Sequence, residues 1–128
     1  MSPEGGIAER IQDVLKELEL NVPTIEASAV VSAVGLPIAS ALPTDIDETR
    51  VAAITASILT MSERAIMDFG KGQLNQIIIR GSKGLLISMA AGENAVLTVS
   101  ASHDARLGII LLYMERAAKE ILDLLENQ

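Results

Sequence analysis

His103 is the only histidine, and it stands between Ser102 and Asp104, so three adjacent residues supply the base, nucleophile and acid types of a hydrolytic site. Nucleophilic catalysis requires a base that is held against the nucleophile and oriented by a third group. Neighbouring residues at the entry to a helix rarely reach that geometry. We therefore interpret His103 as a loop or helix-capping residue and not as a catalytic base.

Two glycine-rich stretches carry a lysine, as phosphate-binding loops do: FGKGQ at 69–73 and RGSKG at 80–84. A P-loop follows a strand with the spacing GxxxxGK[ST], so that the next helix points its N-terminus at the phosphates. Here the first stretch ends a predicted helix and the second joins two predicted strands. The sequence favours ordinary turns and indicates that the chain does not itself bind a nucleotide.

Two acidic pairs, Asp45 with Asp47 and Glu17 with Glu19, have the ligand type of a divalent metal site. Helix capping and a solvated helix surface explain them more simply. The chain has no cysteine, which excludes disulfides and thiolate chemistry. We therefore expect no metal, no cofactor and no enzymatic activity.

The composition describes an acidic, aliphatic chain of 128 residues that is 49% hydrophobic and carries a formal net charge of -7. The negative charge opposes binding to nucleic acid and to anionic lipid. No secretory signal and no uncharged run of about 20 apolar residues is present. We expect one cytoplasmic domain over residues 1–128, with no nucleic-acid partner and no membrane insertion.

Periodicity and turn residues divide the chain into eight elements. Helical patterns cover 4–20, about 45–69 and the C-terminal region from 102 onwards. Alternating or continuous apolar runs between turn residues predict five strands, two in a hairpin over 25–43 and three at 73–80, 84–91 and 95–102. The order αββαβββα predicts an α+β fold with a five-stranded antiparallel sheet flanked by helices.

The long central helix is more apolar than one contact requires, because VAAITASILTM at 51–61 contains no charge. We expect one stripe to pack on the protein's own sheet, made of Val51, Ile54, Ile58, Met61, Ala65 and Phe69. A second stripe on the opposite side needs another partner and contains Ala52, Ala56, Leu59 and Ile66. Between them remains a polar wedge of Arg50, Ser57, Arg64 and Asp68.

The third strand raises the same question, since Ile77, Ile78 and Ile79 are consecutive in a strand that opens a meander and is a candidate for a sheet edge. An unpaired apolar edge invites aggregation. Two copies that pair this strand across a two-fold axis and place their long helices side by side would cover both features. We therefore predict a homodimer with an interface of Ala52, Ala56, Leu59, Ile66, Ile77, Ile78 and Ile79.

The element order, the segment AVVSAVGLPIASALP at 29–43 and the segment NAVLTVSASHDARLGIILLYMERAAKEI at 94–121 resemble the roadblock family of dynein-light-chain-like proteins. The resemblance covers nearly the whole chain, which is similar to a free-standing prokaryotic member of the family. It implies a profilin-like sheet with the first and last helices on one face and the long helix on the other. It also implies dimers joined through the long helix and the third strand.

Members of this family act without enzymatic activity, as scaffolds or regulators of small Ras-like GTPases. The resemblance therefore implies a GTPase partner for the paired long helices, and we expect Arg50, Ser57, Arg64 and Asp68 to contribute contacts. An exposed Arg64 has the chemistry of a trans-acting arginine finger. We favour a helix-surface arginine that pairs with Asp68 four residues later.

Two other functions remain open at this point. A small-molecule-sensing module would need polar groups inside an apolar pocket, for which Thr98, Ser100 and Tyr113 are the candidates. A purely structural adaptor would dimerise larger proteins without contacting a GTPase. No feature of the sequence distinguishes a regulator from such an adaptor.

Overall fold

Eight elements follow one another in a computed structural model that describes residues 5–127. The order αββαβββα and the α+β class are confirmed. The elements are α1 (Ile7–Asn21), β1 (Ile25–Ser32), β2 (Pro37–Ala41), α2 (Glu48–Asp68), β3 (Ile77–Gly81), β4 (Gly84–Ala90), β5 (Ala95–Ser102) and α3 (Leu107–Glu126).

All five strands form one antiparallel sheet in the order β2-β1-β5-β4-β3, so β3 lies at an edge, as the sequence suggested. The β3 strand is shorter than predicted, because its pairing with β4 ends where Ile77 meets Ser88. Residues 73–76 lie before that last pair and are not part of the strand. The outer side of β3 has no neighbouring strand among the described residues.

The main core lies between the sheet and the helices α1 and α3. Its fully buried side chains include Leu15 from α1, Ile110 and Met114 from α3, and Ile87 and Leu97 from the sheet. The helical residues recur three or four positions apart, which places them on one face of each helix. Large aliphatic side chains therefore fill this layer without any aromatic residue at its centre.

The ends of α2 follow the expected capping chemistry. Asp47 is the N-cap and accepts a hydrogen bond from the backbone N–H of Thr49 at 3.0 Å. At the other end Gly70 has φ +67°, and the N–H of Lys71 returns to the carbonyl of Ile66 at 2.9 Å. A left-handed glycine that closes such a bond is a typical helix stop.

A polar contact joins α1 to the sheet inside the main core. The hydroxyl of Ser28, which is 1% exposed, donates a hydrogen bond to the carboxylate of Glu19. Partial burial raises the pKa of the Glu19 carboxyl above its ordinary value, and the bond from Ser28 opposes that rise. The folded protein therefore holds a proton on Glu19 more tightly than the unfolded chain does.

Replacing this carboxylate with an amide should change how stability depends on pH. Because the folded-state pKa of Glu19 is raised, wild type gains stability as pH falls through that pKa towards the ordinary glutamate value, whereas Glu19→Gln does not. We expect the advantage of the variant over wild type to be largest near pH 7 and to shrink as pH is lowered. Urea unfolding across this range measures it, with Glu17→Gln as the exposed control for net charge; an advantage that grows on acidification would contradict the assignment.

Candidate protein interaction surface

The helix α2 packs on the sheet through a different side from the one expected. Ala52 is 0% exposed and Thr55 is buried, while Leu59 and Ile66 are half-buried. At 100° per residue these four positions lie on one side of the helix. Of the stripe predicted to pack on the protein's own sheet, Val51 does contact the sheet cluster. The prediction is wrong for Ile54, Met61, Ala65 and Phe69, which are exposed.

Small side chains explain this choice. Ala52 forms a compact cluster with Ala29, Val31 and Val96, so the helix lies close to the sheet. Gly35 in the β1–β2 turn has φ +95°, and a Cβ added there would lie 3.5 Å from the Cβ of Ala56. The β1–β2 turn therefore also lies close to α2.

These contacts occupy two residues of the predicted dimer interface. Ala52 is buried inside its own chain and is not available to a second copy, and the half-buried Ala56 lies against the β1–β2 turn. The corresponding part of the predicted interface must be moved to the other side of α2.

One exposed side of α2 is apolar and lies towards β4. Val51 lines a cavity of about 160 Å³ together with Leu86 of β4 and Ser100 of β5, which shows that this side of the helix looks towards β4. Ile54 is 47% exposed and Met61 is 70% exposed. We call the group formed by Ile54, Ile58, Met61 and Ala65 the open flank.

The sheet beside the open flank is uncovered too. The helix α2 packs mainly over β1 and β2. The register places Ile77 opposite Ser88 and Ile79 opposite Leu86, so these four residues share the face on which α2 lies. Ile79 is 40% exposed and Leu86 is 44% exposed. An apolar surface therefore runs from the open flank across β4 to the sheet edge.

The four residues of the predicted polar wedge are all exposed on the outer side of α2, opposite the buried stripe. We call Arg50, Ser57, Arg64 and Asp68 the polar strip. The Ser57 hydroxyl donates to the Ala53 carbonyl at 3.0 Å, within the helix. The expected ion pair between Arg64 and Asp68 is not formed in the described structure, so both charges face solvent.

The residues with candidate chemistry around His103 form a turn and not a catalytic site. The Ser102 hydroxyl donates to the Asp104 carboxylate, and this bond holds the pKa of Asp104 below its ordinary value. His103 is exposed. His103 is a loop residue and does not cap a helix, because α3 begins at Leu107 and its N-cap is Arg106.

The polar residues named for a ligand pocket separate in the structure. Thr98 and Ser100 line the 160 Å³ cavity, and the Thr98 hydroxyl lies 2.8 Å from that of Ser88. Tyr113 is on the other face of the sheet, where its ring lies beneath the guanidinium of Arg116. The described residues contain no cluster of three acidic or histidine side chains suited to a metal. Among helices within 5–127, none is long and apolar enough to cross a membrane.

Taken together, a five-stranded antiparallel sheet with two helices on one face and one helix partly covering the other defines an α+β protein of profilin-like architecture. A family model for the Roadblock/LC7 domain matches residues 10–101, and the chain belongs to this family. The protein MJ1340 of Methanocaldococcus jannaschii is 38% identical over 105 residues, which cover 81% of this chain and 91% of that protein.

Solved structures agree with this fold. MglB in a tetrameric arrangement superimposes with TM-score 0.87 at 22% identity, covering 95% of this chain and 92% of MglB. Myxococcus xanthus MglB gives 0.85 at 23% identity, covering 93% and 97%. Profilin of Schizosaccharomyces pombe gives 0.64 at 16% identity, covering 88% and 97%. The roadblock identity and the profilin-like fold predicted from the sequence are both confirmed.

The close contact of α2 with the sheet can be tested by enlarging one alanine. Ala52→Leu should destabilise the fold by about 1–3 kcal/mol, because the cluster around Ala52 has no room for a larger side chain. Ala53→Leu, on the exposed side of the same helix, should change stability by no more than about 0.5 kcal/mol. Urea unfolding of both variants measures the difference, and equal stabilities would contradict the helix orientation described here.

Proposed function

We propose that this chain is a non-enzymatic homodimer that binds a small Ras-like GTPase on its paired α2 helices, as a regulator or a scaffold. Family membership supports an adaptor role without catalysis. The observation that carries the proposal is the apolar surface that extends from the open flank to the β3 edge. Three large side chains on this surface, Ile54, Ile79 and Leu86, are exposed.

A second copy of the chain fits this surface for two reasons. It would pair the free edge of β3, whose hydrogen-bonding groups otherwise need water, and it would cover the open flank with another apolar flank. Two-fold symmetric dimers use one surface patch twice, and a stable contact buries roughly 1,600 Å² in total. The dimer contacts proposed here are Ile54, Ile58, Met61 and Ala65 from α2 and Ile77, Ile78 and Ile79 from β3, with Leu59 and Ile66 at the margin.

The GTPase surface follows from the same arrangement. When two open flanks meet, the two α2 helices lie side by side and both polar strips face outward. Arg50 and Arg64 then present cations to a partner in an otherwise acidic protein. Neither glycine-rich stretch is a phosphate-binding loop in the described structure, since Gly70 and Gly72 follow α2 and Ser82 and Lys83 form the turn between β3 and β4. The proposed action is therefore contact with the GTPase and not turnover of the nucleotide.

A small-molecule sensor is the second candidate, supported by the cavity that Thr98 and Ser100 line beside Leu86. Its volume of about 160 Å³ is below the range of roughly 300–1,000 Å³ typical of ligand pockets. The cavity also opens on the apolar surface assigned to the dimer. We therefore place this function second.

Charging the open flank should separate the two copies without unfolding either one. Ile54→Asp combined with Met61→Asp places carboxylates where two apolar flanks would meet, so we expect a folded monomer where wild type is a dimer at about 10 µM. Analytical ultracentrifugation and circular dichroism measure mass and fold. Val34→Asp, at an exposed turn remote from β3, is the matched control and should remain dimeric. A monomeric wild type would rule out the proposed homodimer.

Binding of a GTPase is tested in both nucleotide states. We expect purified protein to retain a small GTPase, identified by mass spectrometry, from lysate containing either GDP or a non-hydrolysable GTP analogue. Preference for one state indicates a regulator, because only differential binding shifts a conformational equilibrium. Equal retention indicates a scaffold.

The polar strip is tested with the captured GTPase in purified form. Arg64→Glu should weaken its binding about tenfold, a typical loss for an interface charge that contributes. Lys119→Glu on the exposed surface of α3 is the charge-matched control. Retention of no GTPase in either state, or GTP hydrolysis by the chain alone, would contradict the proposed function.

A further inference from the structure

The hydrogen-bonding pattern of the free β3 edge follows from the tight turn that joins β3 to β4. Gly81 pairs with Gly84 across Ser82 and Lys83. In an antiparallel ladder, a pair of opposite residues either exchanges two backbone hydrogen bonds or lies between two pairs that do. If Gly81 and Gly84 were a non-bonded pair, the next pair towards the turn would be Ser82 and Lys83. These two residues are adjacent in sequence and cannot exchange ladder hydrogen bonds. Gly81 and Gly84 are therefore the hydrogen-bonded pair.

Hydrogen-bonded and non-bonded pairs alternate along the ladder from that point. Ile79 and Ile77 direct their backbone N–H and C=O groups towards β4. Ile78 and Arg80 direct theirs to the unpaired edge. The free edge of β3 thus offers bonding groups from Ile78 and Arg80, spaced two residues apart.

We propose that two copies of the chain pair β3 with β3 in one specific register, with the two-fold axis passing between the two Ile78 residues. This inference rests on the proposed homodimer and specifies its strand contact. In this register Ile78 meets the second copy's Ile78 as a hydrogen-bonded pair. Ile77 meets the second copy's Ile79, and Gln76 meets the second copy's Arg80.

Neighbouring registers are chemically poorer. An axis at Ile79 would place Ile78 opposite Arg80, and an axis at Ile77 would place Ile79 opposite Asn75. An axis at Arg80 would place two like charges directly opposite each other, which is destabilising. Only the register centred on Ile78 sets every isoleucine of the strand against another isoleucine while matching all the bonding groups at the edge.

The same register completes the apolar surface on the face of the sheet where α2 lies. Ile77 and Ile79 share that face with Leu86. Pairing about Ile78 brings four isoleucines from two strands into one block, bordered by a Leu86 on each side. This block lies beneath the position where the two open flanks meet, so the strand and helix contacts support each other.

Cysteine cross-linking tests the register directly, because the native chain contains no cysteine. Hydrogen-bonded antiparallel pairs have Cα atoms about 5.5 Å apart, inside the range of about 4.4–6.8 Å that a disulfide spans. Diagonal neighbours are roughly 7–8 Å apart. Ile78→Cys should therefore form a covalent dimer under mild oxidation several-fold faster than Ile79→Cys. Val34→Cys, remote from β3, measures collisional cross-linking.

Charge variants at Gln76 provide a second readout. Gln76→Glu should tighten the dimer and Gln76→Lys should weaken it, each by roughly two- to tenfold in Kd, because the residue faces Arg80 twice in the dimer. Adding Arg80→Glu to Gln76→Lys should restore the affinity. Sedimentation at a series of concentrations measures Kd.

The outcomes distinguish the register from the dimer itself. A monomeric wild type overturns both the homodimer and the register. This holds also if the β3 edge pairs with a different protein. A dimer in which Ile79→Cys links faster than Ile78→Cys overturns the register alone. A dimer in which the two Gln76 variants bind equally also overturns the register alone, and the homodimer stands in both cases.

Discussion

The approach of α2 to the sheet through alanine determines which surface this protein leaves for a partner. Ala52 is buried against Ala29 and Val31, and the helix lies over β1 and β2. The distance between packed elements depends on the side chains at their contact, so small residues allow a close approach. The larger Ile54 and Met61 on the same helix then face away from the covered strands. The helix contacts of the proposed interface depend on this orientation.

The geometry of sheets and helices explains why the uncovered region exists. Five strands about 4.8 Å apart span roughly 19 Å between the outer strand axes, whereas a helix with its side chains is about 10–12 Å across. The two helices α1 and α3 can cover one face, but α2 alone cannot cover the other. Leu86 and Ile79 are consequently exposed beside the helix. The closed face stabilises the fold, and the half-covered face is available for association.

This division of the two faces matches a role that depends on contact and not on chemistry. The polar residues that suggested catalysis or ligand binding have local partners: Ser102 bonds to Asp104, and Thr98 lies against Ser88. The charges of the polar strip, by contrast, have no partner in the described structure, and Arg64 is exposed. An adaptor needs such a surface of unpaired charges beside a rigid apolar contact, and it needs no reactive group.

The sequence by itself determined the order of the elements, the position of β3 as a candidate edge and the apolar excess of α2, because periodicity, capping and turn residues act locally. Residue types alone indicated the ends of the long helix, with Asp45 or Asp47 as its N-cap and Gly70 and Gly72 as its stop, and the structure selects Asp47. Which side of α2 faces the sheet was decided only by the tertiary structure. Both stripes of α2 are apolar, so hydrophobicity could not decide which one packs on the sheet. The one available signal was side-chain size, because Ala52 allows a closer approach to the sheet than Ile54 does. That choice depends on how closely Val31 and the turn at Gly35 approach the helix, and residues so distant in sequence meet only in the folded chain.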